Sequence, residues 1–212
     1  MRRDAERNRQ RIVDAARRLI TDRGLDISHD DIAREADVGV GTVYRRFPTL
    51  DLLFQEIFEG RIGEVLELLA HAEQLEDPWE GLRHFMVGNC ELQSRHRGLQ
   101  QFLLSRAGSL EFSDSARERL TPGVSALVER ARTDGRIRPD IHSSDVALIF
   151  ALTGVMIDAA RAVDPELWRR YLEMLLDGIK LGPRSATLPG SPPAGEQLDK
   201  VLTRWGPPRR SR

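Results

Sequence analysis

Residues 39–46 read Gly-Val-Gly-Thr-Val-Tyr-Arg-Arg, placing Thr42, Tyr44, Arg45 and Arg46 close together in the chain. These are side chains that can read a nucleic acid. Arg presents a fork of donors that fits guanine, Thr offers a hydroxyl or a methyl, and Tyr can reach a phosphate or lie on a thymine methyl. In helical register Val43 and Phe47 share an inward face, which leaves Thr42, Tyr44, Arg45 and Arg46 outward. Gly41 lets the backbone come close to whatever that face meets. Competing chemistry is not visible. There is no nucleophile–base pair, carboxylate pair, phosphate-binding Gly loop or metal-ligand spacing, so an enzyme, a bound metal and a cofactor are not expected. His29, His71, His84, His96 and His142 lack ligand spacing, and the single Cys90 excludes an intrachain disulfide framework and reads as a small core residue.

The elements that must hold these residues are helical. Ile12, Ala15, Ala16, Leu19 and Ile20 recur at the helical period over 7–23, and Gly24 stops that helix. Ser28 reads as an N-cap, with Asp30 and Asp31 in the first turn of a short helix whose Ile32, Ala33 and Ala36 face inward. Asp37-Val38-Gly39 is a tight connector, and Val40–Phe47 makes a third short helix closed by Pro48. Two short helices joined by a tight turn are the geometry of a helix-turn-helix, which places its second helix in the major groove. The starts of the two helices, Ser28 and His29 on one and Gly39 and Val40 on the other, can offer backbone N–H groups to phosphates. Arg2, Arg3, Arg7 and Arg11 could meet phosphates or form a solvated charged face.

The chain has 212 residues, 40% apolar, enough for one to two folded domains. Net charge is +2 over 1–50, −7 over 51–182 and +4 over 183–212, a hint that the middle does not face a polyanion. The longest apolar run, Val146 to Ile157, covers 12 positions, short of the roughly 20 a membrane span needs. The charged N-terminus is not expected to act as a secretory signal, so a cytoplasmic protein is expected.

The run Ser28-His29-Asp30-Asp31-Ile32-Ala33-Arg34-Glu35-Ala36-Asp37-Val38-Gly39-Val40-Gly41-Thr42-Val43-Tyr44-Arg45-Arg46-Phe47-Pro48 strongly resembles the DNA-binding motif of the TetR family of transcriptional repressors. Arg11-Ile12-Val13-Asp14-Ala15-Ala16 and the Arg23-Gly24 stop resemble that family's first helix. The resemblance implies an all-α, bacterial regulator. Its head at 1–50 would be a three-helix DNA-binding domain, and a helical domain at 51–182 would pair the subunits and bind a small effector. It implies release from a palindromic double-stranded operator when the effector binds; the other possibility is control of the same fold by a protein partner. Where the family commonly has Ser then Lys this chain has Gly39 and Val40, and where it commonly has a Lys after the Phe-Pro turn it has Leu50.

Beyond the head, period-3.6 patterns predict helices over 49–72, 78–95, 99–107, 115–134, 145–162 and 165–180, with Pro122 kinking or breaking the fourth of these. Leu82, Phe85, Met86, Asn89, Cys90 and Gln93 share one stripe that turns from apolar to amide, which reads either as a cavity wall or as a helix end reaching solvent. With Phe58, Ile62, Leu66, Phe102, Leu103, Arg106 and Leu127 these residues from Phe85 on are the candidate pocket for a small hydrophobic effector. Arg106 could pair with an anionic ligand or with an acidic neighbour. The helix at 145–162 is apolar nearly all round and needs cover on every side. A second copy supplies it if Leu148, Leu152, Val155, Leu167, Tyr171, Met174 and Leu175 form the dimer interface; an internal core helix is the alternative. From Pro183, 6 of the 11 prolines fall in a tail expected to be mostly disordered, although Leu198, Val201, Leu202 and Trp205 keep a helical stripe.

Overall fold

The computed structural model describes residues 2–24, 26–95, 110–183, 186–193 and 195–204. Among these the regular elements are helices: α1 (Arg2–Arg23), α2 (His29–Ala36), α3 (Val40–Arg46), α4 (Leu50–Glu73), α5 (Pro78–Arg95), α6 (Leu110–Thr133), α7 (Ser143–Ala160), α8 (Leu167–Ile179) and α9 (Glu196–Arg204). The all-α fold read from the periodicity is the fold observed. The expected helix over 99–107 lies outside the described residues.

The described residues up to Gly63 belong to one compact unit, and Glu64–Ser94 with the residues from Leu110 on belong to another. The head therefore runs past residue 50. Leu53, Phe54, Ile57 and Phe58 in the first turns of α4 are buried, as are Ile12, Ala15, Ala16 and Leu19 of α1 and Ile32, Ala33 and Ala36 of α2 in the same unit. A capping box opens α2. Asp31 N–H donates to Ser28 Oγ at 3.2 Å, and Ser28 N–H donates back to Asp31 Oδ2 at 3.0 Å. Those bonds to Ser28, with Arg23 and Arg34 nearby, hold the Asp31 carboxyl below the usual carboxylate range. Asp37 ends α2 in the left-handed region at φ 50°, and Val38 N–H returns to Ala33 O at 3.0 Å, so a wrapped C-terminus forms the turn of the motif without glycine.

In the second unit Val65 and Leu69 of α4 join Leu82, Phe85 and Met86 of α5, Leu127 of α6, Val146, Ile149 and Ile157 of α7 and Trp168, Leu172 and Leu176 of α8 in one core. Gly81 permits the approach of α5 to the end of α4, since a Cβ there would stand 2.8 Å from Ala72 O. Arg130 of α6 satisfies the carbonyls left open at that end, donating to Glu73 O at 2.8 Å and Leu75 O at 2.9 Å. Several expectations are corrected. α1 begins at Arg2 rather than residue 7. α6 spans 110–133 and continues through Pro122 without a break. The N-cap of α7 is His142, whose N–H donates to Asp145 Oδ2 at 2.8 Å, not Ser143 or Ser144. The tail is also tied down where it is described. Leu188 N–H donates to Asp140 Oδ2 at 2.7 Å, Arg138 donates to Ala186 O, and α9 packs on α7. By length and composition α7 alone among the described residues could cross a membrane, yet Val146, Ile149 and Ile157 are spent on the core.

The capping box yields a test. Ser28→Ala should lower unfolding stability by about 1 kcal/mol near neutral pH. The Asp31 carboxyl is held below the usual carboxylate range in the folded state, so its contribution is present near neutral pH and is lost as pH falls through the folded value. The gap between parent and variant in thermal melts should therefore narrow in acid.

Candidate nucleic-acid interface

The second helix of the motif has only 7 residues, and it is positioned from one side. Val43 is fully buried and Phe47, its C-cap, is 4% exposed, so the inward pair expected from the register is the pair that anchors it. On the other side Gly39, Val40, Gly41, Tyr44, Arg45 and Arg46 are exposed, and Thr42 is half-buried. A Cβ on Gly41 would meet nothing within 4 Å, so this surface is open to the backbone. Arg46 Nη2 donates to Ala5 O at 3.0 Å, which leans its side chain toward the start of α1. Arg45 has no partner among the described residues and presents an uncompensated cation.

His29 has a side-chain role that the sequence pattern did not single out. Its side chain is buried, with Nε2 2.8 Å from Phe47 O, and its ring lies under Tyr44 at 4.2 Å between centroids and 12° between planes. A carbonyl only accepts, so Nε2 carries a proton there. His29 thus ties the start of α2 to the end of α3 and supports Tyr44 as a stacked platform; its ring is not free to touch DNA. Sequence pattern alone missed this role, because a stack between residues 15 apart depends on how two helices cross. Ser28 is likewise committed to its capping box. Of the α1 arginines considered for phosphate contact, Arg7 pairs with Asp4, and Arg11 donates to Asp37 O at 3.0 Å and pairs with its carboxylate at 3.3 Å. The side chains of Arg2 and Arg3 lie outside the described residues.

The comparisons with known proteins agree with this geometry. Residues 12–57 match the family described as bacterial regulatory proteins, tetR family, and residues 77–181 match the SbtR-like transcriptional regulator C-terminal domain. The chain belongs to the tetR family. HTH-type transcriptional regulator SAUSA300_2515 of Staphylococcus aureus strain USA300 is 48% identical over 121 residues, 55% of this chain. The chain spans 64% of the length of the curated relatives it matches. TetR regulator SCO0520 from Streptomyces coelicolor has a TM-score of 0.61 at 28% identity, covering 81% of this chain and 98% of that one. A TetR-family regulator from Agrobacterium tumefaciens has a TM-score of 0.69 at 20% identity, over 84% and 100%, and shows the fold. The family and the relatives named are transcriptional regulators, not enzymes.

In this TetR-family protein the candidate pocket residues fall into different surroundings. Phe58 and Ile62 are buried in the first unit, while Leu66 is half-buried in the second. Phe85, Met86, Cys90 and Leu127 are at most 1% exposed in the second core. Asn89 is 6% exposed, while residues 91–94 toward the end of α5 are half-buried and Arg95 is exposed. Gln93 is half-buried with a buried Oε1 that has no partner. Phe102, Leu103 and Arg106 lie outside the described residues. Among the dimer candidates Leu152, Val155, Tyr171 and Met174 are exposed, and Leu148, Leu167 and Leu175 are half-buried.

The His29 stack predicts two separable defects. His29→Phe keeps a ring under Tyr44 but leaves Phe47 O unsatisfied, and should cost about 1–3 kcal/mol of stability. His29→Gln keeps a donor and loses the stack. Tyr44 ring-proton shifts in NMR should move toward those of free tyrosine in His29→Gln and stay near the parent's in His29→Phe.

Proposed function

We propose that this chain is a transcriptional repressor that binds palindromic operator DNA as a homodimer and leaves it when a small effector binds the C-terminal unit. The observation that carries the reading is the one-sided burial of α3. Its apolar face is spent on the head, while Tyr44, Arg45, Arg46 and the bare backbone at Gly41 stand exposed on the other side. Thr42, Tyr44, Arg45 and Arg46 supply base and phosphate contacts, and Gly39, Val40 and Gly41 let the backbone approach. Val40 and Leu50 stand where a lysine is common in the family, so affinity rests more heavily on the arginines.

Pairing of two copies is supported by α7 and α8. Each buries one stripe in its own core, Val146, Ile149 and Ile157 on α7 and Trp168, Leu172 and Leu176 on α8, and each exposes a second apolar stripe. Exposed Leu152 and Val155 with Tyr171 and Met174 form an apolar surface that a like surface would cover. A dimer places two copies of α3 about 34–36 Å apart, one turn of DNA. An effector that binds better to an arrangement with another spacing lowers DNA affinity by that preference. Such a protein acts in the cytoplasm, where the DNA is.

Gly41→Ala separates a DNA-facing role from a structural one. An alanine in open space on a helix should raise the stability of the free protein by about 0.5–1 kcal/mol, while operator affinity falls because the added methyl meets the DNA. Unchanged operator affinity in gel shifts, with the extra stability present, would remove Gly41 from the interface. A Val155→Glu/Met174→Glu variant should sediment as a folded monomer with parental circular dichroism and should lose cooperative binding to a two-half-site operator; a parental sedimentation profile would place the dimer contact elsewhere.

A further inference from the structure

Thr153 Oγ1, Gln93 Oε1, Trp168 Nε1 and Arg161 Nη1 are buried side-chain polar atoms of the C-terminal unit with no hydrogen-bond partner among the described residues. Unpaired buried polar atoms are costly, and each calls for an occupant. The helix register brings these four toward one end of the core. Arg83 meets Glu173 at 2.5 Å and Arg169 meets Glu91 at 2.9 Å, so α5 and α8 run antiparallel and Trp168 lies level with the Glu91–Gln93 turn. Phe85 meets Phe150 edge-on at 5.8 Å, and α7 folds back into α8 through the short 161–166 turn. Hence α5 and α7 run the same way. Gln93, about two turns beyond Phe85, is level with Ile157, about two turns beyond Phe150. Thr153 stands about a turn below that level and Arg161 about a turn above. Thr153 and Trp168 are 2% and 1% exposed, so both belong to the core face, and Gln93 continues the buried stripe of Phe85, Met86 and Asn89.

The chemistry of the set is specific. Arg161 is a permanent cation with spare N–H groups, Trp168 Nε1 is a donor only, and Gln93 Oε1 and Thr153 Oγ1 accept. Two donors, one of them charged, suit a carboxylate; the acceptors suit a neighbouring hydroxyl or N–H; and Ile157 and Leu172, which share a core cluster with Trp168, suit hydrocarbon. We infer that Arg161, Trp168, Gln93 and Thr153 form the head-group site of the effector, and that the effector is an amphipathic organic acid. This rests on the effector-responsive reading given above, and it names a cation that the sequence pattern did not single out.

The test uses the full-length protein with hexanoate and phenylacetate as probes and hexanamide and phenylacetamide as their uncharged counterparts, by calorimetry and thermal shift. The acids should bind and raise the melting temperature, and the amides should not. Arg161→Met should weaken acid binding about tenfold or more, and Trp168→Phe several-fold, with circular dichroism unchanged. Thr153→Val provides a readout that needs no ligand. Removing an unpaired hydroxyl should leave the unliganded protein as stable as the parent or more so, and a loss of stability would show the hydroxyl is paired. Acids without effect, acids and amides acting alike, or binding that survives Arg161→Met would each overturn the assignment. Operator binding is measured alongside. A protein that binds operator and ignores the acids contradicts this site alone, whereas one that never binds operator contradicts the repressor reading itself.

Discussion

A helix of 7 residues does not stand by its own hydrogen bonds, and α3 is that short. Its existence depends on what holds it: a fully buried Val43, a nearly buried Phe47, and a histidine from α2 whose Nε2 bonds the carbonyl at its end. Because the anchoring is confined to one face and one terminus, the opposite face is free to be polar. Tyr44 sits over the same histidine, so the group that fixes the end of the helix also limits where its most prominent outward side chain can go. A surface built this way would lose less side-chain entropy on binding a partner than one made of free rotamers.

The rest of the head serves that constraint. The α2 cap at Ser28 and the left-handed turn at Asp37 fix the entry and exit of α2, and Arg11 braces the turn by donating to the Asp37 carbonyl. Charges elsewhere on the head are largely matched, as in Arg9 with Glu56 at 2.5 Å and Arg18 with Glu35 at 2.8 Å. Among the described residues Arg45, on the exposed face of α3, is a cation without a partner. In the second unit the apolar excess of α7 is divided between its own core and an exposed stripe, which accounts for a helix that is hydrophobic nearly all round in a protein whose core needs only half of it.

Much of this was legible in the sequence because it is local. The period of Ile12, Ala15, Ala16, Leu19 and Ile20, the Ser28 cap and the Pro48 stop each depend on residues within a few positions, and the helices fall where those signals place them. What was not legible depends on crossing geometry. Nothing local shows that the His29 ring stacks under Tyr44, nor that the first turns of α4 fall in the same compact unit as the head. Pro122 marks a kink or a break by propensity, and α6 continues through it, with Leu127, Val128 and Ala131 buried beyond it. The prolines of the tail carry no sign of its bonds to the 138–140 loop, whose partners are 48 positions away.

The central claim is that the exposed face of α3 reads a two-fold symmetric DNA site. Its most direct test is capture of sheared genomic DNA from the source organism by the purified protein at near-physiological salt, with sequencing, beside a folded Tyr44→Ala/Arg46→Ala variant. A palindromic site with half-sites about one DNA turn apart, recovered by the parent and lost by the variant, is the result expected. Weak, salt-sensitive and sequence-independent recovery, equal for parent and variant, would contradict it.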